Sequence, residues 1–192
     1  QRPGGTSAVR IGIFGGSFDP PHVGHYLAAM DAAERLLLDR VLWVPTGQQP
    51  LKVGAPHAAS AEQRFRMVEA GSLGTPIFRA SRIEIDRSGL SYTVATIRSL
   101  LEEFPGSELF LLLGEDSWSR FSEWREPEAI RTLVQIEILA RTTGGIHSGR
   151  VIEVSSTEIR ARARDGRSVR GFVRDAVAEI IESERLYQWR QM

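Results

Sequence analysis

The chain has 192 residues, 42% of them hydrophobic, and its 24 Lys and Arg balance 24 Asp and Glu. This is enough chain for one domain with a substantial core, and the neutral balance argues against a nucleic-acid surface, which normally shows a basic excess. With no cysteine in the chain, disulfides, thiolate zinc sites and cysteine nucleophiles are excluded.

Val9 to Phe14 (VRIGIF) predicts a buried strand ended by glycines. From Val23 to about Leu38 the apolar residues Val23, Leu27, Met30, Ala33 and Leu37 recur at helical spacing. Val41 to Val44 predicts a strand closed by Pro45, and residues 45–59, rich in Pro, Gly and Gln, predict a loop. Ala61 to Leu73 has helical spacing, Ile77 to Ile85 reads as extended, and Thr93 to Phe104 predicts a helix stopped by Pro105 and Gly106. Leu109 to Leu113 (LFLLL) predicts a strand ending at Gly114; this apolar run is far too short for the roughly 20 residues of a membrane helix. Val134 to Ala140 and Arg150 to Val154 predict two more strands, Ser155 opens a helix, and Val173 to Leu186 predicts the last one. Strands alternating with helices imply βαβ units. The expected fold is therefore α/β and Rossmann-like, a mostly parallel doubly wound sheet with flanking helices. We expect a single domain over residues 1–192, with a C-terminal helical portion from about 155.

In such sheets ligands bind beyond the carboxyl ends of the strands. Three suggestive segments fall at such ends: GGSFDPPHVGH (15–25), GEDSW (114–118) and SSTEIR (155–160). In the first, Gly15 and Gly16 can take φ > 0 and let a ligand approach the backbone. Ser17 adds a hydroxyl, and Pro20 and Pro21 stiffen the turn. His22 and His25, three apart, face one side of the first helical turn, beside free amides that favour an anion. Together they read as a phosphate clamp. A plain turn is the blander alternative. A metal pair would need a third carboxylate or thiolate at useful spacing, and none is nearby. The spacing fits neither GxGxxG nor GxxxxGK[ST]. In the third segment Ser155 can cap a helix with Glu158 reaching back as in a capping box. Ser156, Thr157 and the first-turn amides then line an anion site, with Arg160 one turn along the same face. An ordinary capped surface helix is the alternative, and it is kept for Arg162 and Arg164.

GGSFDPPHVGH resembles the HxGH signature of the nucleotidyltransferase superfamily, and VSSTEIR its ISSTxIR signature. From IGIFGGSFDPPHVGH to SERLY, the chain is similar to the bacterial nicotinate mononucleotide adenylyltransferases. GEDSWSRFSEW resembles their GxDS…W segment, and SYTVATI their SYTxxTL stretch. PTGQQPLK keeps Lys52 of a loop ending in PPHK, while Gln49 and Leu51 replace the proline and histidine.

The resemblance implies that ATP and nicotinate mononucleotide react to a dinucleotide and pyrophosphate. By it, His22, His25 and Arg160 are catalytic. Gly15, Gly16, Ser17, Phe18, His22, His25, Gly114, Asp116, Ser155, Ser156, Thr157 and Arg160 bind ATP. Thr46, Lys52, Ser91, Tyr92, Thr93, Trp124 and Arg141 bind nicotinate mononucleotide, with Trp124 stacked on the nicotinate ring. Mg²⁺ is carried on the β and γ oxygens of ATP, and no protein metal ligand is expected. Trp118, Arg64 and Met67 are read as packing residues. The expected partners are ATP and nicotinate mononucleotide, with no nucleic acid and no membrane; a homo-oligomer is left open. Gln1 to Arg10 has no apolar core of the signal-peptide kind, so a cytoplasmic protein is expected. Three alternatives remain: a transferase of the same machinery acting on another acceptor such as phosphopantetheine, a nucleotide-binding regulatory module without catalysis, and an aminoacyl-tRNA synthetase fragment.

Overall fold

The structure is a computed structural model that describes residues 8–48, 57–139 and 152–188. Five strands, β1 (Arg10–Gly16), β2 (Arg40–Pro45), β3 (Phe78–Ala80), β4 (Glu108–Gly114) and β5 (Gln135–Leu139), form one sheet in the order β3-β2-β1-β4-β5. Every neighbouring pair is parallel. The helices are α1 (Val23–Arg35), α2 (Ala61–Ser72), α3 (Thr93–Glu103), α4 (Glu115–Ser119), α5 (Pro127–Leu133), α6 (Ser156–Arg164) and α7 (Asp175–Ser183), with a 3₁₀ turn at Phe121–Glu123. The chain first winds outward from β1 to β3 and then returns to add β4 on the other side. β1 and β4 therefore flank the reversal point, where ligands of open parallel sheets bind.

The doubly wound architecture follows from strands that are apolar on both faces. Ile11 and Ile13 of β1, Leu42 and Val44 of β2, and Leu109, Leu111 and Leu113 of β4 point into one core with Val94, Ile97 and Leu100 of α3. The alternate residues Phe14, Val41, Trp43, Phe110 and Leu112 point into the other, with Tyr26, Ala29, Ala32 and Ala33 of α1. Each fully buried side chain of this size stabilises the fold by roughly 1.5–3 kcal/mol. A third cluster joins Ala59 and Met67 to Ile159, Val173, Val177, Ile181 and Leu186, and seats α6 and α7 beside α2.

Two predicted strands are corrected. In Ile77–Ile85 the strand is confined to Phe78–Ala80. Arg82 then turns the chain: Asp86 N–H donates to Arg82 O at 2.9 Å, and its guanidinium binds both Asp86 and Glu62. For Arg150–Val154, the described part is not a strand. Val154 N–H donates to Ile152 O at 2.9 Å, a tight local turn, and the Val154 side chain packs on the third cluster. The last helix is shorter than predicted because Arg185 and Tyr187 take left-handed φ of 50° and 66°. Among the described residues no helix is long and apolar enough to cross a membrane.

Candidate active site

The loop leaving β1 opens over the sheet edge. A side chain added at Gly15 or at Gly114 would meet nothing within 4 Å, so the backbone at the ends of the adjacent strands β1 and β4 lies open to a close-approaching ligand. The positive φ expected at Gly15 and Gly16 is found instead at Phe18, with φ of 48°. The Phe18 ring folds back beneath the loop, buried against Phe14, Trp43 and His25 at centroid distances of 5.4, 5.2 and 5.2 Å. Gly16 permits this, since a Cβ there would stand 3.1 Å from Phe18 Cζ. Phe18 therefore offers a ligand its backbone alone.

His22 is the N-cap of α1 in extended conformation. Its backbone N–H donates to His25 Nδ1 at 3.1 Å, and the two imidazoles stack with centroids 3.7 Å apart. A neutral imidazole that accepts at Nδ1 carries its proton on Nε2. His25 is thus set as an Nε2–H donor. The first turn of α1 holds no acidic residue, so the positive end of the helix favours an anion, but the free amides expected there are corrected: Val23 N–H donates to Phe172 O and His25 N–H to His22 O, both at 2.9 Å.

The second segment docks directly on the first. Ser155 accepts from Glu158 N–H at 3.1 Å and caps α6. Ser156 Oγ donates to Pro20 O at 2.8 Å. Arg160 Nη1 donates to Asp19 O at 2.7 Å and Nη2 to Thr157 Oγ1 at 3.2 Å. From below, the buried guanidinium of Arg64 donates to Ser17 O at 2.8 Å and to Thr46 O at 2.7 Å, tying the loops after β1 and β2 together. The Asp19 side chain turns inward, 5% exposed. It accepts from Ala58 N–H at 2.7 Å, Ala59 N–H at 3.1 Å and the Tyr187 hydroxyl at 2.8 Å. The loop therefore buries its own carboxylate, and the imidazole of His25 stands with the Arg160 guanidinium of α6 on the side of the site.

On the other side of β1, Thr46 N–H and Oγ1 both donate to Gly16 O, at 2.9 and 3.3 Å. Ser91 N–H donates to Gln48 O at 2.9 Å. Tyr92 is the N-cap and Thr93 the first residue of α3, whose first turn is free of acidic residues. The Ser91 side chain is buried beside Gly47. Beneath it lies Glu84, 5% exposed, whose Oε1 accepts from Thr96 Oγ1 at 2.9 Å. Burial pushes the Glu84 carboxyl above the ordinary range, while Thr96, Arg87, Gly47 and Ser91 pull it back. Trp124 is half-buried against Phe121 at 5.4 Å, and Trp118 stacks on the same ring at 5.2 Å. Asp116 is exposed in the first turn of α4. Among the described residues no three His, Asp or Glu side chains are grouped to hold a metal ion.

Of the predicted residues, Gly15, Gly16, Ser17, His22, His25, Ser155, Ser156, Thr157 and Arg160 gather around the end of β1. Gly114 and Asp116 stand at the adjoining end of β4, and Thr46, Ser91, Tyr92 and Thr93 at the side of β2. Lys52 and Arg141, with Gln49 and Leu51, lie outside the described residues. Asp19, Glu84 and Tyr187 escaped the sequence reading. Asp19 lies inside the quoted motif, and a charged residue between two prolines and a phenylalanine was the available signal.

A cytidylyltransferase-like family model matches residues 13–162. A probable nicotinate-nucleotide adenylyltransferase of Gemmatimonas aurantiaca is 42% identical over 94% of this chain and 93% of its own length. One from Thermus thermophilus is 41% identical over 94% of this chain and all of its own. The solved Plasmodium falciparum nicotinic acid mononucleotide adenylyltransferase, complexed with NaAD, shares the fold with a TM-score of 0.77 at 17% identity, covering 96% of this chain and 100% of that one. The chain belongs to the cytidylyltransferase-like family and, within it, to the nicotinate-nucleotide adenylyltransferases.

Proposed function

We propose that this protein is an enzyme that transfers the adenylyl group of ATP to nicotinate mononucleotide, releasing nicotinate adenine dinucleotide and pyrophosphate in NAD biosynthesis. The observation that carries this reading is the docking of Ser156 and Arg160 onto the carbonyls of Pro20 and Asp19, beside the stacked His22 and His25. Two segments far apart in sequence thereby surround one open strand end.

The acceptor's phosphate monoester is already an anionic nucleophile, so no strong base is required. One of its oxygens attacks the α-phosphorus in line. The bond from that phosphorus to the bridging oxygen breaks, and the electron pair leaves with pyrophosphate. Catalysis is then positioning plus charge stabilisation. The Nε2–H of His25 and the guanidinium of Arg160 face the charge that builds on the departing pyrophosphate, beside the positive end of α1. His22 orients His25 through its backbone N–H. Gly15, Gly16, Ser17, the Phe18 backbone, Gly114 and Asp116 border ATP. Ser155, Ser156 and Thr157 complete the anion site. Thr46, Ser91, Tyr92 and Thr93 border the acceptor, the amides opening α3 meet its nicotinate carboxylate, and Trp124 covers the ring. Lys52 and Arg141 are assigned to the acceptor phosphate. Magnesium would enter with ATP as part of the substrate and would neutralise charge on its phosphates. The imidazole and guanidinium groups of the site suit phosphate oxygens rather than a cation.

A side-by-side assay of pyrophosphate release from ATP with nicotinate mononucleotide, nicotinamide mononucleotide and phosphopantetheine tests this. The acid mononucleotide should be turned over fastest. Turnover with phosphopantetheine alone, or ATP binding without pyrophosphate from any acceptor, contradicts the proposal.

A further inference from the structure

We propose that Asp19 and Tyr187 form a positioning pair, through which the C-terminal turn sets the geometry of the phosphate loop; this rests on the adenylyl-transfer reading above. Tyr187 lies 168 residues from Asp19, and its hydroxyl donates to Asp19 Oδ1 at 2.8 Å. That oxygen also accepts from Ala59 N–H, while Oδ2 accepts from Ala58 N–H and has His57 Nδ1 at 3.9 Å. The backbone of the same residue faces the site. Asp19 O receives Arg160 Nη1, the next carbonyl, Pro20 O, receives Ser156 Oγ, and His22 follows two residues on. Anchoring the Asp19 side chain therefore fixes the placement of the backbone whose two successive carbonyls receive Arg160 and Ser156.

The turn that carries Tyr187 is built to deliver it. Glu184 is held by Arg66 at 2.5 Å and by Gln63 Nε2 at 3.1 Å, both from α2. Leu186 is buried in the third core cluster. Arg185 and Tyr187 both take left-handed φ, a conformation that side-chain-bearing residues rarely adopt and that persists where the surroundings over-determine it. Burial, then the charge and hydrogen bond of Asp19, push the Tyr187 phenol far above its ordinary range, so it stays a donor at all working pH values. Asp19 keeps its two backbone donors when the hydroxyl is removed, so the fold tolerates the change.

The test is a double-mutant cycle of Tyr187→Phe and Asp19→Ala, read as kcat, the two KM values and the thermal midpoint. Tyr187→Phe should lower kcat about tenfold with both KM values within about twofold, a split that follows from misplacement rather than lost binding. Asp19→Ala should lower kcat about 10²-fold, because it removes the acceptor of Tyr187 and of the Ala58 and Ala59 N–H groups. The double variant should be no slower than Asp19→Ala alone, the signature of one shared interaction. Wild-type kcat in Tyr187→Phe, or effects that multiply in the double variant, overturns the pairing while leaving adenylyl transfer intact. Failure of the wild-type chain itself to release pyrophosphate would instead count against the function. A merely structural role would lower the midpoint without this coupling in kcat.

Discussion

The two sides of the proposed site are locked by different chemistry. On the phosphate side, the carbonyls of Ser17 and Asp19 accept from the guanidinium groups of Arg64 and Arg160. Arginine keeps its charge at every physiological pH, so these two contacts keep their donors as acidity changes. On the acceptor side, the start of α3 rests on a buried carboxyl, Glu84, whose partner in α3 is the uncharged Thr96. That group titrates. Disturbing the first side should therefore act on turnover, and disturbing the second on acceptor affinity and on pH response.

The largest expected effect is at His25. Replacing His25 by Ala removes the Nε2 donor and should lower kcat by about 10²–10³, the scale of losing one oxyanion donor, with a smaller change in the KM for ATP; near-wild-type turnover would remove it from the proposed role. Arg64→Met comes next. It leaves Ser17 O and Thr46 O without their donor in a buried setting, and we expect a loss of about 2–4 kcal/mol of stability, read as a lower thermal midpoint. Arg64→Lys should not restore it, because one ammonium does not reproduce the fork that reaches both carbonyls. Trp124→Ala should raise the KM for nicotinate mononucleotide by about tenfold, on the scale of an aromatic contact, while the KM for ATP holds. Equal rises in both KM values would merge the two sides that are distinguished here.

The smallest effect concerns Glu84. Its carboxyl is raised in the folded chain, chiefly by burial, so the folded state holds its proton to higher pH than the unfolded chain does. The stability linked to this proton is full below the ordinary glutamate range and is lost as pH rises through the folded value. In Glu84→Gln that loss disappears. The midpoint of the variant should gain on the wild type as pH increases from 4.5 toward neutrality, and a parallel pair of curves would argue that Glu84 does not carry the proton.

What was readable in the sequence follows the range of the interactions. The strand Leu109–Leu113, the cap at Ser155 and the helix opening at His22 are local features, and all three stand where the residues put them. Positive φ was assigned to glycine because glycine takes it at no steric cost. The chain instead strains Phe18, since burying its ring under the loop outweighs the backbone penalty. Ile83 and Ile85 alternate as in a strand, yet the chain turns here, with Asp86 N–H donating to Arg82 O and Glu84 buried against Thr96 of α3. Asp19 was invisible as a hub because its partners lie 39, 40 and 168 residues away, and only the fold brings them together. His22, His25 and Arg160 could be picked out because each sits in a short motif. Glu84 stands in no such motif, and Tyr187, although it ends the SERLY stretch, shows nothing there of its distant partner.

The most direct test is a crystal structure of this protein with a non-hydrolysable ATP analogue. Phosphate oxygens of one nucleotide should lie within hydrogen-bond distance of both His25 Nε2 and the Arg160 guanidinium. A nucleotide whose phosphates touch only one of these groups, or that binds away from the ends of β1 and β4, would contradict it.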